Sequence, residues 1–148
     1  MNYKIKMLSE ENIEECTKLY TYVFNSEPWN DGWEEIDARE RLSDIFNNRK
    51  FLGLGICDEE SKLIGFLAGY TERWLDSHHF YLNEMCVTTG LQSKGIGTRL
   101  VNELEDICQE SNINRIYLLT AREGQAEAFY EKSGYYVSPK MIMMSKRL

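Results

Sequence analysis

The chain has 148 residues, 43% of them apolar and 28% charged, with a net charge of −7. This is the length of one ordinary domain and the balance of a soluble globular protein, and an acidic total without a basic stripe excludes a general nucleic-acid binder. No apolar run approaches the ~20 residues that span a bilayer.

The start, Met-Asn-Tyr-Lys-Ile-Lys, has no signal-peptide apolar block, and Cys16, Cys57, Cys86 and Cys108 are scattered without C-x-x-C spacing. Reduced thiols in a cytoplasmic protein are the expectation. Tyr3 to Leu8 alternates as an edge strand. Ser9 is placed to cap a helix whose buried stripe is Ile13, Cys16, Leu19, Tyr20, Val23 and Phe24. Residues 25–32, with Pro28 and Gly32, break it. A second helix is predicted from Trp33 to about Phe46, with Ile36, Leu42, Ile45 and Phe46 inward.

Phe51–Cys57 and Leu63–Thr71 read as a β-hairpin around Asp58-Glu59-Glu60-Ser61, and Arg73–His79 as a polar loop. Gly65 and Gly69 weaken the second strand or let something pack closely on it. Leu82–Val87 is a central strand; then Leu100, Val101, Leu104, Ile107 and Cys108 recur at helical spacing. Arg115–Thr120 is a further strand, Gly124–Lys132 a helix ended by Gly134, and Tyr135–Val137 and Lys140–Lys146 supply closing strands. The order β-α-α-β-β-β-α-β-α-β-β predicts one α+β domain over residues 1–148, with helices on both faces of a mainly antiparallel mixed sheet of six to seven strands.

The stretch between the central strand and its helix carries the chemistry. Gln92-Ser93-Lys94-Gly95-Ile96-Gly97-Thr98 is a glycine-rich loop opening a helix, where unpaired N–H groups and the positive end of the helix dipole receive phosphate. The triphosphate pattern G-x-x-x-x-G-K-[ST] runs from Gly90 to Gly95 but then meets Ile96 instead of Lys, and the dinucleotide pattern G-x-G-x-x-G meets Leu100 at its third glycine.

What fits is Q/R-x-x-G-x-G/A, as Gln92, Gly95 and Gly97. This resembles the pyrophosphate loop of the GNAT family of N-acetyltransferases, which bind acetyl-coenzyme A. A second stretch, Ala126-Glu127-Ala128-Phe129-Tyr130-Glu131-Lys132-Ser133-Gly134-Tyr135, resembles that family's A-x-x-F-Y-E-K-x-G-F/Y segment. The family often has Asn three residues before this alanine, where this chain has Glu123. The element order also matches, so the resemblance covers nearly the whole chain.

It implies transfer of an acetyl group from acetyl-CoA to an amine, with four tasks. Main-chain groups of Gln92, Ser93, Lys94, Gly95, Ile96, Gly97 and Thr98 would hold the anionic cosubstrate, with Lys94 and Arg99 adding charge. The main chain of Met85, Cys86 and Val87 would pair with the pantetheine arm and polarise the acetyl carbonyl. Glu84, sharing a strand face with Cys86, is the candidate general base, because an ammonium of pKa ~10 is mostly protonated at neutral pH; the alternative is a strand Glu paired with a neighbouring cation. Tyr130 matches the family tyrosine that serves the leaving thiolate; the alternative is an aromatic packing residue.

Glu27, Trp29, Trp33 and Tyr70 are the candidate acceptor-binding residues, two tryptophans beside acids being suited to an organic cation, and His79 is a further candidate for that side. A metal role for His78 and His79 is not expected, since no ligand cluster accompanies them. The expected partner is a small-molecule amine, with no nucleic acid and no membrane; a protein amine and a homodimer stay open. Three rival readings remain: a noncatalytic acyl-CoA-binding sensor, a P-loop nucleotidase, and an acyl-carrying Cys86.

Overall fold

The computed structural model describes residues 2–148. Its elements are β1 (Lys4–Met7), α1 (Ile13–Phe24), α2 (Glu35–Phe46), β2 (Phe51–Cys57), β3 (Leu63–Trp74), β4 (Ser77–Val87), α3 (Ile96–Glu110), β5 (Ile113–Leu118) and α4 (Gln125–Lys132). The strands form one five-stranded sheet in the order β1-β2-β3-β4-β5. All pairs are antiparallel except β4 and β5, which run parallel across the α3 connection. The mixed sheet, its antiparallel bias and the edge position of β1 are as the sequence predicts.

Helices cover both faces. On one, Cys16, Leu19, Tyr20 and Val23 of α1 and Ala38, Leu42, Ile45 and Phe46 of α2 pack with Phe66, Ala68 and Cys86 of the sheet. On the other, Ile96, Leu100, Leu104 and Cys108 of α3 meet Leu54, Ile56, Leu67, Phe80 and Leu82. All four cysteines are free and buried. Two expectations for α2 fail. The helix starts at Glu35, so Trp33 precedes it, and Ile36 is 75% exposed. At ~100° per residue, Ile36 lies roughly opposite Ala38 and Ile45 and cannot share their face.

Residues 73–79 are not a loop. β3 and β4 continue as paired strands to Trp74 and Ser77, closing around Leu75, whose φ is 53°, and Trp74 stacks on His79 at 5.3 Å. The polar composition reflects a hairpin projecting into solvent rather than an absence of pairing.

Among the described residues the predicted closing strands are absent, and the sheet has five strands rather than six or seven. Tyr135–Val137 and the segment 140–146 have no strand partner, and Met141, Ile142, Met143 and Met144 are 74%, 81%, 71% and 84% exposed. An apolar run supplies strand propensity, but a strand also needs a neighbouring edge to pair with.

The irregularity that matters for the site lies in β4. Ala68 opposes Glu84 and Gly69 opposes Leu82, leaving Asn83 as the extra residue of a β-bulge. The bulge reverses the alternation of the strand. Phe80 and Leu82 enter the α3 core before it, whereas Cys86 enters the α1–α2 core after it. Gly69 is obligatory here, because a Cβ on it would lie 2.0 Å from the Tyr81 carbonyl oxygen.

Candidate active site

β4 has two regimes. Its first half pairs with β3 and β5, but the β5 ladder stops at Leu82 opposite Leu118. From Glu84 to Val87 only β3 is bonded. The sheet therefore parts beside Glu84–Val87, leaving main-chain groups on one side of β4 without a strand partner. Among the predicted cosubstrate-binding residues here, Cys86 and Val87 are buried with side chains committed to the two cores, so only their backbone faces the opening. Burial pushes the Cys86 thiol well above its ordinary value. That keeps it a thiol and disfavours the acyl-carrying role.

The loop after β4 is tied down at both ends. Thr88 N–H donates to the Ile64 carbonyl at 2.8 Å, Leu91 N–H to Thr88 at 3.2 Å, and the Gln92 side chain to the Val87 carbonyl at 3.0 Å. Between these ties the chain passes through left-handed φ values of 91° at Gly90, 66° at Ser93 and 83° at Gly95. Gly95 is the N-cap of α3, and no side chain caps that end. The amides of Ile96, Gly97 and Thr98 therefore keep the unmet donors that every uncapped helix start has.

Gly97 is hemmed in, since a Cβ there would sit 3.0 Å from Met85 Cε and 3.2 Å from Phe129 Cζ. The parted end of β4, the helix start and α4 thus converge within van der Waals distance. Lys94 is exposed, while Arg99 donates to the Tyr3 carbonyl at 3.2 Å and so leans toward β1.

Tyr130 reaches the same convergence. Its hydroxyl donates to Met85 Sδ at 3.5 Å, and its ring sits edge-on to Phe129 and Tyr135 at 5.1 and 5.5 Å. Burial, and then the negative charge of Glu84, hold its hydroxyl above the usual tyrosine range. It stays a phenol throughout the physiological range.

Glu84 faces α1 and α2, as the bulge dictates. Its Oε1 accepts from Arg41 Nε at 2.6 Å and from the Tyr20 hydroxyl at 3.4 Å, and its side chain is 10% exposed. Two influences oppose each other. Burial raises the Glu84 pKa, while the Arg41 charge and hydrogen bond lower it; burial wins, and the carboxyl sits above the ordinary range. A cation partner for a strand Glu is the alternative weighed in the sequence, and it is realised in Arg41.

Beside this pair lie two adjoining clefts. One, of about 350 Å³, is lined by Asp37, Glu40, Arg41, Asp44, Ile45 and Asn83. The other, of about 470 Å³, is lined by Asp31, Gly32, Trp33, Glu34 and Asp37. The bulge residue Asn83 leaves its Oδ1 without a hydrogen-bond partner at the floor of the first.

Of the predicted acceptor residues, Trp33 lines a cleft. It is anchored by paired hydrogen bonds with Asn25 at 2.6 and 2.9 Å, donates from its indole to Asp31 at 3.2 Å, and meets Tyr20 edge-on at 5.4 Å. Glu27 is exposed and Trp29 packs on Phe24 at 5.2 Å; neither lines these two clefts. Tyr70 stands in an aromatic row with Tyr81 and Tyr117, at 5.8 and 4.7 Å, and His79 sits against Trp74 at the hairpin end.

Sequence reasoning missed Arg41, Asn83, Asp37, Glu40 and Asp44. The acids and Arg41 recur at helical three- and four-residue spacing along α2, which was a readable signal for a polar face. Nothing local marks Asn83.

The family model described as Acetyltransferase (GNAT) family matches residues 11–135. The uncharacterized protein YxbD of Bacillus subtilis (strain 168) is 31% identical over 98 residues, covering 63% of this chain and 55% of that protein, so the match spans about half the length of this relative.

An aminoglycoside acetyltransferase from an uncultured soil metagenomic sample, solved in complex with sisomicin, aligns with a TM-score of 0.78 at 18% identity over 99% of this chain and 96% of its own. The ribosomal-protein-alanine N-acetyltransferase of Brucella melitensis biovar Abortus 2308 aligns with a TM-score of 0.77 at 17% identity over 100% of both chains. At such identities the likeness is one of fold.

Proposed function

The chain belongs to the acetyltransferase (GNAT) family, and from that premise we propose that it transfers an acetyl group from acetyl-CoA to a primary amine of a small cationic molecule. The observation that carries this reading is the parting of β4 from β5 after Leu82, directly upstream of an uncapped helix start. A strand edge with free main-chain groups suits the amide-bearing pantetheine arm. A helix start behind a left-handed glycine suits its diphosphate. Met85, Cys86 and Val87 would hold the first through their backbone, and Gln92 to Thr98 the second, with Lys94 adding charge. Each hydrogen bond to the anion contributes roughly 1.5–3 kcal/mol. When bound, acetyl-CoA supplies the activated acyl group; the remaining tasks fall to the chain.

Glu84 accepts a proton from the incoming ammonium. Its raised pKa makes it a stronger base than an ordinary carboxylate, and the charge and hydrogen bond of Arg41 oppose that rise. Tyr130 donates a hydrogen bond to the departing sulfur. A free tyrosine of pKa ~10 already holds its proton more tightly than a thiol of ~8.5. Burial widens the gap, so stabilisation by hydrogen bond is favoured over full transfer. The acceptor class follows from the clefts, where Asp31, Glu34, Asp37, Glu40 and Asp44 collect carboxylates around Trp33. Such a lining favours a compact polyamine over a neutral amine.

The test is a panel of small polyamines and peptide amines incubated with acetyl-CoA, following thiol release and product mass. Acetylated polyamine is expected; acetylation confined to peptides would overturn the acceptor class. One observation favours a second reading, a noncatalytic acyl-CoA sensor. Glu84 already has Arg41 as its partner, as a structural carboxylate would. Tight acetyl-CoA binding by calorimetry with no amine turned over would select it.

A further inference from the structure

The sheet face toward α1 and α2 has a part that the helices leave bare. Their packing on β3 and β4 reaches Phe66, Ala68 and Cys86. Side chains two residues apart share a strand face, so Tyr70 and Glu72 continue the face of Phe66 and Ala68. In β4, Phe80 and Leu82 enter the α3 core, which puts His79 and Tyr81 on the opposite side. In β5, Ile116 and Leu118 pack toward α3, which puts Tyr117 there as well.

Tyr70, Tyr81 and Tyr117 form one row across three strands. Tyr70 meets Tyr81 edge-on at 5.8 Å, and Tyr81 stacks on Tyr117 at 4.7 Å. None of the three belongs to either core, and none lines either acidic cleft. Tyr70 and Tyr81 are half-buried, and Tyr117 is 36% exposed. The Tyr117 hydroxyl donates to the Glu72 carboxylate. Burial, and then that hydrogen bond, hold this hydroxyl above the usual tyrosine range, so it remains the donor. Among the described residues no ion pair neutralises Glu72. Aromatic faces ending in an oriented, unpaired carboxylate suit a cation.

The row is continuous with the candidate active site. Ala68 opposes Glu84 and Tyr70 opposes Tyr81, so the tyrosines form the next rung from Glu84 on the same face. At ~3.3 Å per residue along β3, the row lies ~7 Å from the Glu84 rung and Glu72 ~13 Å from it. Burial chiefly raises the Tyr81 hydroxyl above its ordinary value, and Arg41 and Glu84 are among the charges that reach it.

We propose that the tyrosine row and Glu72 hold a second cationic group of the acceptor, ~7–13 Å from the amine that meets Glu84. The inference rests on Glu84 serving the reacting amine, and it fixes a spacing within the polyamine class. Charge selects a cation over a neutral aryl group, which would cover Glu72 without supplying a counter-charge.

Calorimetry on the full chain with coenzyme A present tests this, using α,ω-diamines of increasing length against monoamines of equal carbon count. Diamines whose nitrogens reach ~7–13 Å apart should bind about tenfold tighter than their monoamine partners, and shorter ones should not. Glu72→Gln and Tyr117→Leu should each abolish that difference, with far-UV circular dichroism unchanged. Glu103→Gln, the same charge change on an exposed position of α3, should keep it. A flat length series in the wild type would overturn the inference without any variant. So would a preference that survives in folded Glu72→Gln or Tyr117→Leu, or one lost equally in Glu103→Gln, which means charge attraction without a site. Thiol release from acetyl-CoA with the same amines separates the two readings. Turnover without a length preference overturns this inference alone, whereas a binding preference without turnover supports it and overturns the transfer reading.

Discussion

Ser77–Leu82 and Glu84–Val87 belong to the same strand, separated by one bulged residue, yet the first has a strand on each side and the second has β3 alone. The first half commits its backbone groups to the sheet and its alternating side chains to the α3 core. The second half turns Glu84 toward α1 and α2 and keeps one backbone edge free. Backbone pairing is a finite resource, and a strand that binds a ligand along its edge must give up a neighbour to do so. The bulge at Asn83 sits at this transition.

The largest expected effect breaks that transition outright. In Gly69→Val the new side chain would meet the Tyr81 carbonyl, since even a Cβ lies 2.0 Å from it. Overpacking against backbone should cost about 3 kcal/mol or more, read by urea unfolding, and acetyl-CoA binding should fall with it. Stability within about 1 kcal/mol of the parent would mean the bulge is easily rebuilt.

Next is the residue the bulge redirects. Glu84→Gln should lower kcat/KM about 10²–10⁴-fold, the range of general-base catalysis. The sign of the pH effect follows from burial. A base acts when deprotonated, and Glu84 is held above its ordinary value. The wild-type rate should therefore fall as pH drops through a value above the reference ~4.3, and Glu84→Gln should lack that limb. Arg41→Met removes the influence that lowers the Glu84 pKa and should move the limb to higher pH. A limb that stays put in Arg41→Met would separate the ion pair from catalysis.

Tyr130→Phe probes the open half without touching its backbone. kcat should fall about 10–100-fold, the worth of one charge-assisted hydrogen bond, while calorimetry finds acetyl-CoA affinity little changed. Equal kcat would leave Tyr130 as a packing residue. Gly95→Ala adds a Cβ at a φ of 83°. It should cost about 1–2 kcal/mol, read as a lower melting temperature and several-fold weaker acetyl-CoA binding. The smallest effect separates two tryptophans. Trp33→Ala should raise the acceptor KM several-fold and Trp29→Ala should not, because Trp33 lines the acidic cleft and Trp29 packs on Phe24; equal effects would place the acceptor elsewhere.

Much of the scaffold was legible along the chain. The α1 stripe from Cys16 to Val23, the core positions of α3 and the left-handed cap at Gly134 follow from local periodicity and glycine chemistry. The loop from Gln92 to Gly97 was legible for the same reason, since glycines and a helix start adjacent in sequence are adjacent in space. The misreadings share another cause. Residues 73–79 looked like a loop because exposure was taken for irregularity, and segment 140–146 looked like a strand because propensity was taken for pairing.

Sequence alone determined most of the helical stripes, the turn residues and the glycine-rich loop before α3, since each depends on residues within a few positions of one another. The tertiary structure decided what lies between distant segments. It set the register that makes Asn83 a bulge, the meeting of Arg41 with a carboxylate 43 positions away, the parting of β4 from β5, and the row of Tyr70, Tyr81 and Tyr117 drawn from three strands. Backbone torsions and side-chain spacing are local properties, but which hydrogen-bonding edge finds a partner depends on the whole sheet.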